Sequence, residues 1–411
     1  MAIPFIRHKL QNGLTLIIHQ DLTTPLAACN IVYNVGSRDE NPEQTGMAHL
    51  FEHFMFSGSI HIDNFDTELQ RIGAVNNAYT SQDITHYYAI LPANNLETLF
   101  WLESDRMLSL GFKQQQLDIQ KHVVIEEFKE THLNRPFGDL WHRFYHQVYQ
   151  KYPYRWLPIG EKIEHIESVS MDDVKDFFYR FYRPNNAVMV VSGNVVPEEV
   201  VALAEKWFGE IPAGEPIVKN YSAEDLQQTA RFQLVEGNVP YELLVKGWLM
   251  CDRLNPDFYI YDLFADLLGN GHSSYLYRRF VAEESIFTSL SCHISAVSGP
   301  GTFVILGTPV AGISLEEADK KLSDYLYNFA FENNLAHNLQ KVKNRVETIL
   351  LNNEIKIEDR SSILAVSETI SCIEDYEKEK EKYFAVSEEN IRDMRTLLFD
   401  EEKSNTLYFR K

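Results

Sequence analysis

Two histidines and a glutamate lie close together in residues 46–53. His49, Glu52 and His53 occupy positions i, i+3 and i+4, which share one face of an α-helix. Two imidazoles four residues apart can bind one Zn²⁺ ion, and a glutamate beside the second imidazole can accept a proton from a water at that ion. The spacing therefore predicts a hydrolytic zinc site on a helix.

An amphipathic helix with a solvated polar face is the simpler alternative, because histidine and glutamate also share helix faces by chance. The flanking residues argue against it, since they are large and apolar: Leu50, Phe51, Phe54, Met55 and Phe56. Such neighbours predict burial, and a buried ionisable group is costly without a partner. The apolar surroundings therefore favour a bound cation.

A catalytic zinc ion takes a third protein ligand and keeps one position for water. Residues 114–133 predict a helix that carries three carboxylates, Glu126, Glu127 and Glu130. At about 100° per residue, Glu126 and Glu127 point in different directions, whereas Glu127 and Glu130 lie on neighbouring parts of one face. Position alone does not choose among the three.

Short motifs in a fixed order connect the chain to a known family. They occupy residues 36–40, 46–53, 56–59, 77–81, 123–127, 153–154 and 159–160. Together they resemble the pitrilysin/insulysin family of zinc peptidases, in particular its branch of half-length subunits related to the mitochondrial processing peptidase. The order His-x-x-Glu-His is also the inverzincin signature. The resemblance covers most of the chain and implies a Zn²⁺ cofactor.

The resemblance implies a choice among the carboxylates. Its third ligand corresponds to Glu127, which leaves Glu126 and Glu130 as second choices. Gln120 stands where the family usually has a glutamate that supports the ligands from behind. Its amide can accept a hydrogen bond from an imidazole but adds no negative charge, so we expect weaker zinc binding. An ordinary polar helix residue is the alternative interpretation of Gln120.

The resemblance also implies where substrate binds. Asn77 and Ala78 precede a run of alternating apolar residues, which predicts a strand. In the family this is the edge strand that receives the peptide by β-augmentation, in which main-chain hydrogen bonds provide the affinity. Asn77 and Ala78 are therefore expected to contact the substrate backbone, although an ordinary sheet strand is the simpler interpretation.

Two positions in the second half depart from the family pattern. Members that close their own active site carry an Arg and a Tyr, seven residues apart, which hold the substrate and the oxyanion. Alignment places Val281 and Thr288 there, and neither side chain can do that work. Arg278 or Arg279 can substitute only if the helix register differs. We therefore expect a homologous subunit as partner in a heterodimer, with a homodimer as the alternative.

Length and pattern predict two domains in the 411 residues. We expect a metal-binding peptidase domain over residues 1–210, a linker over residues 211–228 and a related domain without a metal site over residues 229–411. The resemblance implies an α+β fold in which each domain packs helices against a mostly antiparallel sheet. His272 follows a glycine with no ligand at helical spacing, which predicts a loop residue.

Composition excludes some partners. The net charge is −21, with no cluster of Lys and Arg, so nucleic acid is disfavoured. No run of about 18 apolar residues and no apolar stretch of signal-peptide length occurs, which disfavours membrane insertion and secretion. Four widely spaced cysteines predict buried thiols. A bacterial cytoplasmic protein is expected.

The sequence therefore predicts a zinc-dependent endopeptidase subunit, in which His49, His53 and Glu127 bind the metal and Glu52 is the general base. Its substrates are expected to be peptides or unfolded polypeptides. Two alternatives remain: an inactive structural or assembly subunit of the same fold, and a metal-dependent protein that binds peptides without cleaving them.

Overall fold

A computed structural model describes residues 3–331 and 334–411. The chain divides into two compact units, each with its own sheet and its own apolar core. The first unit comprises Met1–Thr131, Trp156–Tyr221 and Leu351–Glu377, and the second comprises His132–Arg155, Ser222–Leu350 and Lys378–Lys411.

Two mixed sheets contain the strands of the described residues. The strands are β1 (Ile6–Lys9), β2 (Thr15–Gln20), β3 (Leu26–Tyr33), β4 (Val75–Thr80), β5 (Thr85–Pro92), β6 (Ala187–Gly193), β7 (Arg231–Glu236), β8 (Leu243–Met250), β9 (Phe287–Ile294), β10 (Gly301–Pro309) and β11 (Asn405–Arg410). The first sheet has the order β1-β2-β6-β3-β5-β4 and the second has the order β7-β11-β8-β10-β9.

The two sheets share one topology. In the first sheet only β2 and β6 run parallel, and in the second only β7 and β11 do. Strands β7 to β11 thus repeat the order and directions of β2 to β6. The prediction of two similar α+β domains, each with a mostly antiparallel sheet, is confirmed.

Helices cover both sheets. They are α1 (Met47–Phe54), α2 (Phe65–Arg71), α3 (Leu96–Leu108), α4 (Gln114–Phe128), α5 (Leu140–Val148), α6 (Ile163–Ser168), α7 (Met171–Phe181), α8 (Pro197–Phe208), α9 (Phe258–Gly269), α10 (Leu315–Asn328), α11 (Leu335–Asn353), α12 (Ile357–Ile370), α13 (Ile373–Glu377), α14 (Glu379–Ala385) and α15 (Glu388–Leu398). Two π-helical segments, Lys129–Leu133 and Tyr277–Glu283, follow α4 and precede β9. Helix α1 follows β3 as α9 follows β8, so the two helices take equivalent places in the chain.

Two segments belong to the unit that is formed mainly by the other half of the sequence: residues 132–155 to the second unit and residues 351–377 to the first. Helix α5 packs against β11 in the second unit, and α12 packs against β3 and β6 in the first. Leu364 and Ala365 of α12 belong to an apolar layer on one face of the first sheet. Both side chains are fully buried there. This division differs from the consecutive boundaries predicted from the sequence, which place residues 132–155 and 351–377 in the opposite domains.

The predicted linker contains no helix or strand over residues 212–228. Part of it is nevertheless anchored to the first unit, since the Tyr221 hydroxyl donates a hydrogen bond of 2.5 Å to Asp39 Oδ1.

The cysteines are free thiols. Cys29 and Cys292 are buried as predicted, whereas Cys251 and Cys372 are only half-buried because they lie outside the regular elements that fill the cores. No helix in residues 3–331 or 334–411 has both the length and the apolar character that crossing a membrane requires.

Candidate metal centre

A buried carboxylate fixes the start of helix α1. Glu40 accepts hydrogen bonds from the backbone N–H groups of Gly46 (2.9 Å) and Ala48 (2.8 Å). These donors have no partner within the helix, so the carboxylate satisfies them. Gly46 itself has a φ of 91°, in the left-handed region that favours glycine. The helix that carries the two histidines therefore begins at a defined place.

One face of α1 is anchored in the first core. Leu50, Phe51 and Phe54 are almost completely buried, and the Phe51 ring lies 4.3 Å from the ring of Tyr182, centroid to centroid. The opposite face carries His49, Glu52 and His53 toward β4 and α4, the two elements that α1 contacts there. The apolar neighbours that favoured burial in the sequence thus hold the polar groups in position.

The structure brings the three predicted ligands together. Glu127 Oε2 lies 3.5 Å from His53 Nε2 and 3.9 Å from His49 Nε2. One donor atom from each of the three residues lies within 4.8 Å of the others. Tetrahedral zinc ligands at bond lengths of about 2.1 Å lie about 3.4 Å apart. Two imidazole nitrogens and a carboxylate oxygen at this spacing fit a zinc ion.

The competing carboxylates lie elsewhere on the helix. Glu126 is exposed and forms an ion pair of 2.7 Å with Lys129, and Glu130 is exposed on the π-helical turn. Neither belongs to the donor group that includes Glu127. Among the three carboxylates that the helical pattern left open, the structure therefore puts only Glu127 beside the histidines.

His49 is suited to metal binding at neutral pH. Burial and the nearby His53 ring together lower its pKa to about 4, although Glu127 opposes the shift. A neutral imidazole offers the lone pair that a metal ion needs. His49 Nδ1 is buried and has no hydrogen-bond partner among the described residues.

Gln120 does not supply that partner. Its side-chain amide donates to Ser57 Oγ at 3.1 Å instead. The amide oxygen, which would accept the hydrogen bond that the resemblance implied, accepts none from an imidazole within residues 3–331 and 334–411.

Glu52 is nearly enclosed. It is only 9% exposed, and its Oε2 accepts a hydrogen bond of 2.5 Å from the Thr80 hydroxyl. Burial raises the pKa of this carboxyl, while the Thr80 hydrogen bond and the His53 charge oppose the rise. A carboxyl whose pKa is raised toward neutrality is suited to receive a proton and to give it up again.

Strand β4 forms an edge of the first sheet. It pairs with β5 on one side, where Asn77 lies opposite Tyr88 and Ala78 lies opposite Tyr87. The Ala78 N–H donates to Asn77 Oδ1 at 2.9 Å. Because β4 ends at Thr80, which touches Glu52, the open edge leads directly to the candidate site.

Val281 and Thr288, at the positions of the expected Arg and Tyr, contact neighbouring residues of the second unit. Val281 packs, half-buried, against the second core, and the Thr288 hydroxyl donates to the Thr308 carbonyl at 3.1 Å. Arg279 forms an ion pair of 2.6 Å with Glu284. The Arg278 guanidinium carbon lies 5.7 Å from the ring centroid of the neighbouring Tyr275.

His272 lies in an exposed loop, as predicted. Its ring stacks on Tyr277 with centroids 4.6 Å apart and planes 3° from parallel. Among the described residues it belongs to no group of three potential metal ligands.

Two contributors escaped the sequence reasoning. Thr80 and Glu40 both lie inside motifs that carried the resemblance, residues 77–81 and 36–40, but neither pattern indicated a hydrogen bond to Glu52 or to the start of α1. Each contact joins a residue of helix α1 or its start to a residue outside that helix, which periodicity along one element does not reveal.

Two models of one peptidase family match the chain. The model described as "Insulinase (Peptidase family M16)" matches residues 15–151, and the model described as "Peptidase M16 inactive domain" matches residues 168–344. The first match contains His49, His53 and Glu127. The second covers most of the unit in which the described residues include no such group.

Individual relatives agree with these matches. The chain is similar to the zinc protease PqqE of Helicobacter pylori, at 27% identity over 379 residues that cover 90% of this chain and 85% of the relative. It is also similar to the mitochondrial-processing peptidase subunit beta of Saccharomyces cerevisiae, at 29% identity over 213 residues that cover 50% of this chain and 45% of the relative.

A solved structure extends the similarity to the whole fold. A crystal structure of a protease from Helicobacter pylori superposes with a TM-score of 0.91 at 25% identity, covering 99% of this chain and 100% of that one. Both halves of the chain match models of the same family, and this structure is similar over 99% of the chain. The chain therefore belongs to the insulinase-like peptidase family M16.

Proposed function

We propose that this chain is the metal-binding subunit of a zinc endopeptidase that hydrolyses peptides or unfolded polypeptides. One observation carries the proposal: His49, His53 and Glu127 offer three ligand atoms within 4.8 Å, and Glu52 lies on the same helix as the two histidines. The name of the PqqE relative, a zinc protease, supports the same metal and reaction.

Each residue of the site has a distinct role in this reaction. His49 Nε2, His53 Nε2 and Glu127 Oε2 would hold the ion. A zinc ion, when bound, lowers the pKa of water and polarises a carbonyl group. Glu52 accepts a proton at its carboxylate and passes it to the leaving amine, which a carboxyl with a raised pKa can do at neutral pH.

The edge of β4 binds the substrate. An extended peptide adds to an open strand edge through main-chain hydrogen bonds, so it needs no defined sequence along its whole length. Asn77 and Ala78 provide backbone contacts two or three residues before Thr80, which adjoins Glu52. This arrangement suits unfolded chains, because a folded protein offers few free strands.

A homologous subunit completes the active site. Val281 has no donor for the developing oxyanion, Thr288 is too short to replace a tyrosine there, and a homodimer would lack the Arg/Tyr pair in both copies. We therefore favour a heterodimer with a family member that carries that pair. The name of the yeast relative, a subunit of a processing peptidase, supports assembly with another chain. The bacterial cytoplasm is the proposed compartment, since free thiols suit a reducing environment.

A second candidate is an inactive subunit of the same fold that serves an assembly. The match of residues 168–344 to an inactive-domain model favours it. The assembled ligand group favours the peptidase, because that group has no use in a purely structural subunit.

Metal analysis and peptide digestion distinguish these functions, with Glu52→Gln as the decisive variant. We expect the wild type to bind zinc and, with its partner, to cleave a mixed peptide pool until a chelator is added. Glu52→Gln should keep zinc and lose about 10²- to 10⁴-fold in turnover. Glu126→Gln, which changes an exposed carboxylate on α4, is the matched control and should behave as wild type.

Near-wild-type turnover in Glu52→Gln would defeat the role given to Glu52. Zinc binding with peptide binding but no cleavage would indicate a peptide-binding protein. Absence of zinc would favour the structural subunit.

A further inference from the structure

The Glu52 carboxylate is held by a single side chain. Among the described residues its one hydrogen-bond partner is the Thr80 hydroxyl, which donates to Oε2 at 2.5 Å. Oε1 accepts no hydrogen bond from the part of the chain that the structure describes. The two oxygens of this nearly buried carboxylate are therefore inequivalent before any substrate binds.

Thr80 is itself fixed in place. It is the last residue of β4, and the next residue, Ser81, accepts a hydrogen bond of 3.1 Å from the Ser37 N–H. The turn that follows is tied to the same loop by an ion pair of 2.7 Å between Arg38 and Asp83, both largely buried. A β-branched side chain in a strand also has little freedom at χ1. The hydroxyl thus points in a defined direction.

From this geometry we infer that Thr80 is a positioning residue, whose hydroxyl fixes Oε2 of Glu52 and leaves Oε1 to exchange the proton during peptide hydrolysis. The inference rests on the proposed function and adds a residue to it. It also means that one strand both receives the substrate backbone and orients the general base, so the two are held in register.

A merely structural hydrogen bond is the competing explanation. Its loss would lower stability, because a buried polar group would be left without a partner, and would affect turnover only through the folded fraction. A positioning role instead predicts a fall in kcat at unchanged KM, because the base is misdirected while the peptide-binding edge stays intact. Misplacement by about 1 Å can cost on the order of 10²-fold in rate.

The experiment compares Thr80→Val, Thr80→Ala and Thr80→Ser in the zinc-loaded protein with its partner subunit. Thr80→Val is nearly isosteric and favours a strand, so it removes the donor with little change in shape. We expect kcat to fall about 10- to 100-fold in the Val and Ala variants, with KM and zinc affinity unchanged. Thr80→Ser keeps the hydroxyl and should restore most of the rate.

Thr85→Val is the matched control. Thr85 lies opposite Thr80 on β5, is fully buried and donates through its hydroxyl to the Val35 carbonyl at 2.9 Å. It is not bonded to Glu52, so its variant should keep the wild-type kcat. An equal loss of kcat in Thr85→Val and Thr80→Val would indicate a general effect on the sheet and overturn the inference.

A double variant provides a sharper criterion. If Thr80 acts only through Glu52, Glu52→Gln combined with Thr80→Val should be no slower than Glu52→Gln alone, because residues that act as a unit are not additive. A further 10-fold loss in the double variant would contradict the inference.

A crystal structure of Thr80→Val decides the matter without any assay of turnover. We expect the Glu52 carboxylate to rotate away from its wild-type orientation. An unchanged Glu52 would overturn the inference even if the peptidase is active. A wild-type protein that binds zinc but cleaves nothing would instead overturn the proposed function, and a rotated Glu52 in the variant would then still establish the positioning contact.

Discussion

Glu127 differs from the neighbouring carboxylates in its surroundings. It faces both histidines, whereas Glu126 is engaged by Lys129 and Glu130 faces solvent. We expect Glu127→Gln to lower zinc affinity by more than the roughly 10- to 100-fold that loss of a residue behind the ligands costs. Competition with a coloured chelator measures this affinity.

Glu126→Gln and Glu130→Gln are the matched controls, since each removes one charge from the same stretch of helix. Both should retain wild-type zinc affinity. If Glu130→Gln loses zinc while Glu127→Gln retains it, the third ligand is misassigned.

At this scale the sequence predicted which side chains of the candidate site lie together. The spacing of His49, Glu52 and His53 placed three side chains on one face because they share one helix. It left Glu127 undecided, since the position of α4 relative to α1 is a tertiary fact, and only the family resemblance made the choice. Thr80 was missed for the same reason: its hydrogen bond spans 28 residues.

At the scale of the elements, an ion pair attaches α12 to the first sheet. Arg360 of α12 contacts Asp21, which directly follows β2. The Thr23 hydroxyl and backbone, together with Arg360, lower the pKa of Asp21 to about 2, although partial burial opposes the shift. The folded protein thus favours the charged form more than the unfolded chain does.

The sign of the pH dependence follows. Because the pKa is lower in the folded state, Asp21 stabilises the fold above its ordinary pKa near 4 and loses this contribution as the pH falls toward 2. Asp21→Asn should lower the free energy of unfolding by about 1–2 kcal/mol at pH 7, and the difference from wild type should shrink below pH 4.

Urea denaturation at pH 7 and at pH 3 checks this expectation. Asp63→Asn is the control, because Asp63 is 95% exposed in its pair with Lys113 and such pairs contribute little. A pH-independent difference for Asp21→Asn would show that the lost hydrogen-bond geometry, and not the charge, matters.

The elements themselves were readable from local pattern. The helix predicted over residues 114–133 appears as α4 with its π-helical continuation, because apolar residues recur at helical spacing. The strand after Asn77 was likewise anticipated from alternation. The packing of α12 against the first sheet was not anticipated. An amphipathic face indicates that a helix packs against something, but it does not indicate which element that is.

At the scale of the whole molecule, the metal group belongs to the first unit and the second unit offers no substitute for it among the described residues. We expect the purified chain alone to bind zinc and to cleave a peptide pool weakly or not at all. A homologous subunit with the Arg/Tyr pair should raise the rate by about 10²- to 10³-fold for each oxyanion donor that it supplies.

The control is the same partner with its Arg and Tyr replaced by Val and Thr, the residues found here at 281 and 288. It should bind equally well and restore nothing. Full chelator-sensitive activity of the isolated chain would contradict the requirement for a partner and would direct attention to Arg278 and Arg279.

The presence of two similar domains was predictable from family resemblance, but their exchange of segments was not. The contacts place residues 132–155 in the second unit and residues 351–377 in the first, against the order of the sequence. The sequence boundary was placed at the Pro- and Gly-containing linker because regular structure is predicted to end there. The end of regular structure is a local property of the chain. Which core a distant helix joins depends on the fit between surfaces.

The late arrival of α12 has a consequence for biosynthesis. Ile17, Val32 and Val190 of the first sheet are buried beneath Leu364 and Ala365, yet about 160 residues separate the end of β6 from the start of α12. At about 5–20 residues per second, a translating ribosome needs on the order of 10 to 30 s after β6 to synthesise the chain up to α12. During this interval the nascent sheet exposes an apolar face. We therefore expect a ribosome-associated chaperone to bind that face before α12 does.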